Sequence, residues 1–204
     1  MNPMDLLLVV DVQNDFLPGG ALAVPHGDDV IPVIRALAPR FDNVILTQDW
    51  HPPGHVSFAS HHGLTPFSAI ELPYGKQVLW PDHCVQGSRG AEFAADLSIP
   101  HAQAVIRKGF HAHTDSYSAF LEADRKTPTG LAGMLRERGI STVFLCGLAT
   151  DFCVVWSALD AKAAGFEAIV VEDACRAIDT DGSLAAARAA MQDAKIRRIL
   201  STAI

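Results

Sequence analysis

Five consecutive apolar residues, Leu6 to Val10, run without a polar break into Asp11. A strand with one face in water alternates apolar and polar side chains. An unbroken run of leucine and valine is what a strand covered on both faces requires. Similar runs return five more times, at residues 43–48 (NVILTQ), 104–107, 142–147 (TVFLCG), 167–172 (EAIVVE) and 198–201. Helical spacing occupies residues 28–40, 130–138, 151–164 and 182–194 between them. Gly139 and Gly165 stand where two of these helices should stop, and Thr150 stands where an N-cap belongs. Strands alternating with helices predict a three-layer α/β/α fold around a six-stranded parallel sheet.

A chain of 204 residues suits one domain, residues 1–204. Residues 50–100 break its rhythm, being rich in Pro, Gly and His and without clear period. Trp50, Phe58, Phe67, Tyr74 and Trp80 argue that this stretch is ordered, an irregular elaboration over the sheet edge. A net charge of -7 speaks against a nucleic acid or an anionic membrane as partner. No apolar run approaches the roughly 18 residues needed to span a bilayer. The opening MNPMDLLLVV lacks the basic leader and cleavage site of a secretory signal, so a cytoplasmic location is expected. Cys84, Cys146, Cys153 and Cys175 show no CxxC spacing and read as free thiols. No periodic exposed apolar face announces an interface, which leaves a homo-oligomer open.

In open parallel sheets, ligands bind beyond the carboxyl ends of the strands. Those ends carry Asp11, Asp49, Lys108 and, after the turn Gly147-Leu148-Ala149-Thr150, Cys153. Cys153 reads either as a small buried apolar residue or as a reactive thiol. Its place in the first turn of a helix, where N–H groups and the dipole favour an anion, predicts a lowered pKa. Asp11 alone reads as a turn residue and Lys108 alone as a solvated lysine. Beside a thiol, a carboxylate can take its proton and an ammonium favours both anions. Cys146, Cys175 and Cys84 read as packing. In Asp49-Trp50-His51 two donors share one side of an extended segment, and His55 and His83 follow. A carboxylate with imidazoles suits zinc, iron or manganese better than calcium or magnesium. His61, His62, His101, His111 and His113 read as loop surface.

Five segments, taken together, resemble one family. They are Asp11-Val12-Gln13-Asn14-Asp15-Phe16, Gln48-Asp49-Trp50-His51, Trp80-Pro81-Asp82-His83-Cys84, Arg107-Lys108-Gly109, and Gly147-Leu148-Ala149-Thr150-Asp151-Phe152-Cys153-Val154. In order and over essentially the whole chain they look like nicotinamidases, which are isochorismatase-like cysteine hydrolases. The resemblance implies a Cys153–Asp11–Lys108 triad, a cis peptide at Leu148–Ala149, and an oxyanion hole from the N–H groups of Ala149 and Cys153. It implies one divalent metal ion, zinc first and iron or manganese as alternatives, on Asp49, His51 and His83. Ser57, directly or through water, or else His55, is the further position to consider. It implies an aromatic pocket of Phe16, Trp80 and Tyr117 with Leu22 beside them, and a small heteroaromatic amide as substrate: nicotinamide, with pyrazinamide a second. The rival readings are an amidase for another small amide, such as an N-carbamoyl compound, and a metallohydrolase in which Cys153 is structural.

Overall fold

The computed structural model describes residues 1–204. Its strands are β1 (Asp5–Val10), β2 (Asn43–Asp49), β3 (Ala69–Leu72), β4 (Gly75–Val78), β5 (Ala104–Lys108), β6 (Thr142–Leu148), β7 (Glu167–Arg176) and β8 (Arg197–Ile199). Its helices are α1 (Val30–Leu37), α2 (Ala59–His62), α3 (Leu131–Glu137), α4 (Val155–Ala163) and α5 (Ser183–Asp193). Six strands form one sheet in the order β5-β2-β1-β6-β7-β8, and every pairing in it is parallel. All six residues of β1 are buried, as are the last six of β2 and of β6. This explains the unbroken apolar runs: each of these strands has a layer on either face.

From β1 the chain moves one way across the sheet through α1 to β2. From β6 it moves the other way, through α4 to β7 and through α5 to β8. Right-handed crossovers, which parallel pairs adopt almost without exception, put these helices on opposite faces and give three layers. The direction reverses between β1 and β6, and a crevice opens at the carboxyl ends of strands at such a point.

Boundaries differ from the sequence expectation in instructive places. The first helical pattern, residues 28–40, is α1 flanked by 3₁₀ turns at Gly27–Asp29 and Ala38–Arg40. The pattern at residues 151–164 begins as a π-helical turn, Thr150–Val154, before α4. Its N-cap is Ala149 and not Thr150, and no side chain caps it. Strand β7 extends to Arg176, and the last strand ends at Ile199 with a 3₁₀ turn following. The elaboration at residues 50–100 holds α2 and an antiparallel hairpin, β3 with β4. The hairpin had no legible signal because Pro73-Tyr74 joins two short strands that lack strict alternation.

Candidate active site

The residues singled out at the strand ends meet at the crevice between β1 and β6. Asp11 follows β1 directly, Asp49 closes β2, Lys108 closes β5, and Cys153 lies in the π turn after β6. Asp49 and Lys108 are register partners, so the pairing of β2 with β5 sets them side by side. Lys108 is fully buried, and its Nζ lies 2.9 Å from Asp11 Oδ2 and 2.6 Å from Asp49 Oδ1. The same Nζ reaches Cys153 Sγ at 3.4 Å and donates to the Ser116 carbonyl at 2.9 Å. Asp11 accepts a hydrogen bond from the Thr47 hydroxyl on Oδ1, 2.5 Å away. Its Oδ2 pairs with the lysine and accepts no further hydrogen bond. That oxygen is free to accept a proton from the thiol, whose sulfur shares a cluster with the Asp11 and Asp49 oxygens within 4.8 Å.

Electrostatics here differ from the sequence expectation. Burial pushes the Cys153 thiol well above its ordinary range, with Lys108 pulling the other way and both aspartates adding to the rise. A lowered thiol pKa was expected from the helix start alone; desolvation outweighs that advantage. Burial also raises Asp11, against the pull of Lys108, and a raised carboxylate is a better proton acceptor. For Lys108, burial lowers and the two carboxylates raise; the carboxylates win, so the ammonium stays charged. Burial opposes the ionisation of Asp49 too, but Lys108 and the two histidines hold it well below its usual value.

Asp49 faces two ways. Its Oδ1 takes the lysine, and its Oδ2 stands 3.5 Å from His51 Nε2 and 3.7 Å from His83 Nε2. Each imidazole is oriented from behind: Nδ1 of His51 donates to the Gly109 carbonyl and Nδ1 of His83 to the Pro81 carbonyl, both at 2.8 Å. These bonds orient the rings and leave both Nε2 atoms turned toward the carboxylate. Donors bound at ~2.1 Å to one tetrahedral ion stand roughly 3.4 Å apart, which matches this group. Two buried carboxylates against one ammonium also leave negative charge that a divalent cation would neutralise. The three residues therefore fit a metal ion. Ser57 and His55 lie alongside: the Ser57 hydroxyl is 2.7 Å from His55 Nδ1, and the His55 ring stacks on His51 at 4.3 Å. His55 Nε2 donates to the His111 and Thr114 carbonyls, and burial pushes its pKa down to about 4.

A pocket opens between the thiol and these donors. Its walls include Phe16, Leu22, Trp80 and Tyr117, together with Asp49, His51, His83, Ala149 and Cys153. Trp80 donates from Nε1 to the Tyr117 hydroxyl at 3.0 Å, and the Phe16 ring lies 5.5 Å from that of His83. Three further wall residues, Asp115, Phe152 and Ile178, escaped the sequence reading. They come from loops and from the π turn, where no spacing announces a direction; for Phe152 alone, its place beside Cys153 was a usable signal. The Leu148–Ala149 peptide is cis, and the Ala149 N–H has no acceptor within the protein. Gln13 was likewise missed as a support: its side chain bonds both the N–H and the carbonyl of Asp49, each at 2.8 Å.

A three-layer fold with a thiol, a carboxylate and an ammonium gathered at the switch point of its sheet is suited to nucleophilic hydrolysis. The chain belongs to the isochorismatase family, whose domain matches residues 5–203. It is 58% identical over 196 residues to a nicotinamidase of Acinetobacter baylyi, covering 96% of this chain and 92% of that one. A protein from L. infantum, solved in complex with nicotinate, superposes with a TM-score of 0.88 at 40% identity, over 100% of this chain and 96% of the other. A pyrazinamidase of Pyrococcus horikoshii, solved with zinc, superposes with a TM-score of 0.79 at 35% identity, over 97% and 99%.

Proposed function

We propose that this enzyme hydrolyses nicotinamide to nicotinate and ammonia through a thioester on Cys153, and that pyrazinamide enters the same pocket. The observation that carries the reading is the meeting of Cys153 Sγ, Asp11 and Lys108 at one end of a pocket whose other wall is the Asp49–His51–His83 donor set. The nicotinate complex of the L. infantum relative supports the substrate class, and the zinc of the Pyrococcus horikoshii relative supports a metal.

In this scheme Asp11 takes the thiol proton as the sulfur attacks the carboxamide carbon. Lys108, tied to both aspartates, keeps the anionic cluster neutralised while charge shifts from carboxylate to sulfur. The Ala149 N–H, together with that of Cys153, receives the oxygen of the tetrahedral intermediate. Asp11 returns the proton to the departing amine, releasing ammonia and leaving an acyl thioester. Water then adds to the thioester with Asp11 as base, giving the carboxylic acid and restoring the thiol. Phe16, Trp80 and Tyr117 hold the ring, with Leu22 at its edge. A divalent ion held by Asp49, His51 and His83 would supply a Lewis-acidic seat for the ring nitrogen, zinc being the ion we favour over iron and manganese. A cytoplasmic setting accords with four cysteines that all remain unpaired.

Ammonia release from nicotinamide, measured for the wild type and for Cys153→Ala with and without chelator, tests this directly. The expected result is release that falls to background in the variant and drops sharply on chelation. Turnover retained in Cys153→Ala would sink the thioester and leave the metallohydrolase reading.

A further inference from the structure

The pocket is a tight slot lined mostly by apolar side chains, so each wall residue bears on the size of ring it can take. The inner wall is anchored on strands or clamped: Asp49 ends β2, and the imidazoles of His51 and His83 are held from behind. Ile178 is different. It lies in the connection from β7 to α5, residues 177–182, where no regular element constrains the backbone. Asp179 and Asp181 in that connection hold left-handed φ values of 54° and 50°, a conformation uncommon outside glycine that Asp adopts more readily than most residues.

The segment is held largely by one carboxylate, alongside bonds from the Thr180 N–H to the Ser183 hydroxyl at 3.0 Å and from the Leu184 N–H to Asp179 at 3.4 Å. Asp151 Oδ1 accepts from the Ile178 N–H at 3.0 Å, and Oδ2 accepts from the Asp179 N–H at 2.8 Å and from the Ser183 hydroxyl at 2.5 Å. Asp151 is buried and stands two residues before Cys153 in the π turn. The wall residue and the thiol are therefore fastened to the same turn, through a side chain that has no part in the steps above.

We propose that Ile178, held in register with the thiol by Asp151, sets the upper size of the ring this enzyme accepts, at the ring position facing away from the reacting groups. The proposal rests on the nicotinamide reading. In a pyridine-3-carboxamide the nitrogen and the substituted carbon flank C2. A ring with its nitrogen toward the Asp49–His51–His83 donors and its carboxamide toward Cys153 turns C2 inward and C5 outward, the side assigned to Ile178. A 5-methyl group then competes for the space of the isoleucine side chain. Asp151 is a positioning residue, acting through the segment it holds.

The test compares kcat/KM for nicotinamide and 5-methylnicotinamide, and calorimetric binding of 5-methylnicotinate, in the wild type and in Ile178→Ala, Ile178→Val and Asp151→Asn. Ile178→Ala should raise the ratio of methylated to unsubstituted kcat/KM by about tenfold or more, the discrimination one methyl group commands in an apolar pocket. Ile178→Val should move it the same way by less, which keeps the test intact if the alanine variant fails to fold. Asp151→Asn should raise KM more than it lowers kcat, because the wall loosens while the triad stays. A wild type that turns over nicotinamide, with a ratio and a 5-methylnicotinate affinity unmoved by either Ile178 variant, overturns the assignment of Ile178. Equal loss of kcat with unchanged KM in Asp151→Asn overturns the positioning role. No ammonia from nicotinamide in the wild type would instead overturn the functional reading beneath it.

Discussion

Asp49 and Lys108 show how much one buried side chain can be asked to do. The ammonium of Lys108 touches two carboxylates and a thiol with no exposure to water. Removing it leaves buried anions facing one another, so Lys108→Ala should lose activity and cost about 3–5 kcal/mol of stability, read from urea unfolding. Gly109 is needed for space as much as for its carbonyl. Its φ is +65°, and a Cβ there would lie 2.4 Å from His51 Cε1. Gly109→Ala should therefore displace the imidazole and weaken metal retention by about 10–100-fold, measured as metal content after dialysis at graded chelator concentration. Glu122, away from the triad, gives a pH signature. Burial raises its pKa above the ordinary 4.5, against the pull of His111. The unfolded chain then releases this proton at lower pH than the folded one, so the stabilisation is complete below 4.5 and lost as pH rises through the folded value. Glu122→Gln should lack that loss, with its urea midpoint gaining on the wild type from pH 4.5 upward; a constant difference would contradict the assignment.

Elements, not single residues, bring the thiol to its partners. Strand β6 ends in a register shift against β7 between Leu145 and Gly147, and the chain then passes through Ala149 into the π turn. Gly147 carries a φ of +110°, and a Cβ on it would lie 2.1 Å from the Val10 carbonyl oxygen of the neighbouring strand. β1 and β6 can run together to their ends only with glycine there. Gly147→Ala should cost about 3 kcal/mol or more and should lower activity in whatever protein still folds, as followed by thermal unfolding and ammonia release. The π turn itself continues the helical pattern in which Cys153 was read, so the sequence located the thiol correctly on an element start. Its wider winding was not legible, since apolar spacing over five residues does not separate a π turn from an α turn.

At the scale of the whole molecule, the proposed metal donors come from the end of β2 and from the irregular stretch that follows it, so an ion bound there would tie that stretch to the sheet. An ion bound only by the folded state adds stability by mass action, about 2.7 kcal/mol at a concentration 100 times its dissociation constant. Chelation should accordingly lower the melting temperature of the wild type, and lower it much less in His51→Ala; a melting temperature indifferent to chelator in both would contradict the assigned donors. The chain by itself determined its layers. Leu6–Val10 and the matching run in β6 are what strands buried on both faces require, and that demand is local to each run. It also determined which strand ends carry Asp11, Asp49, Lys108 and Cys153, because a side chain's place along a strand is a local property. Tertiary structure alone decided the rest. The thiol's pKa rises because the folded core strips it of water, although its helix position argued for the reverse. Ile178 and Asp115 reach the pocket because loops without periodicity are steered by contacts such as those of Asp151 and Gln77. Burial and loop placement depend on residues distant in the chain, and no local pattern carries them.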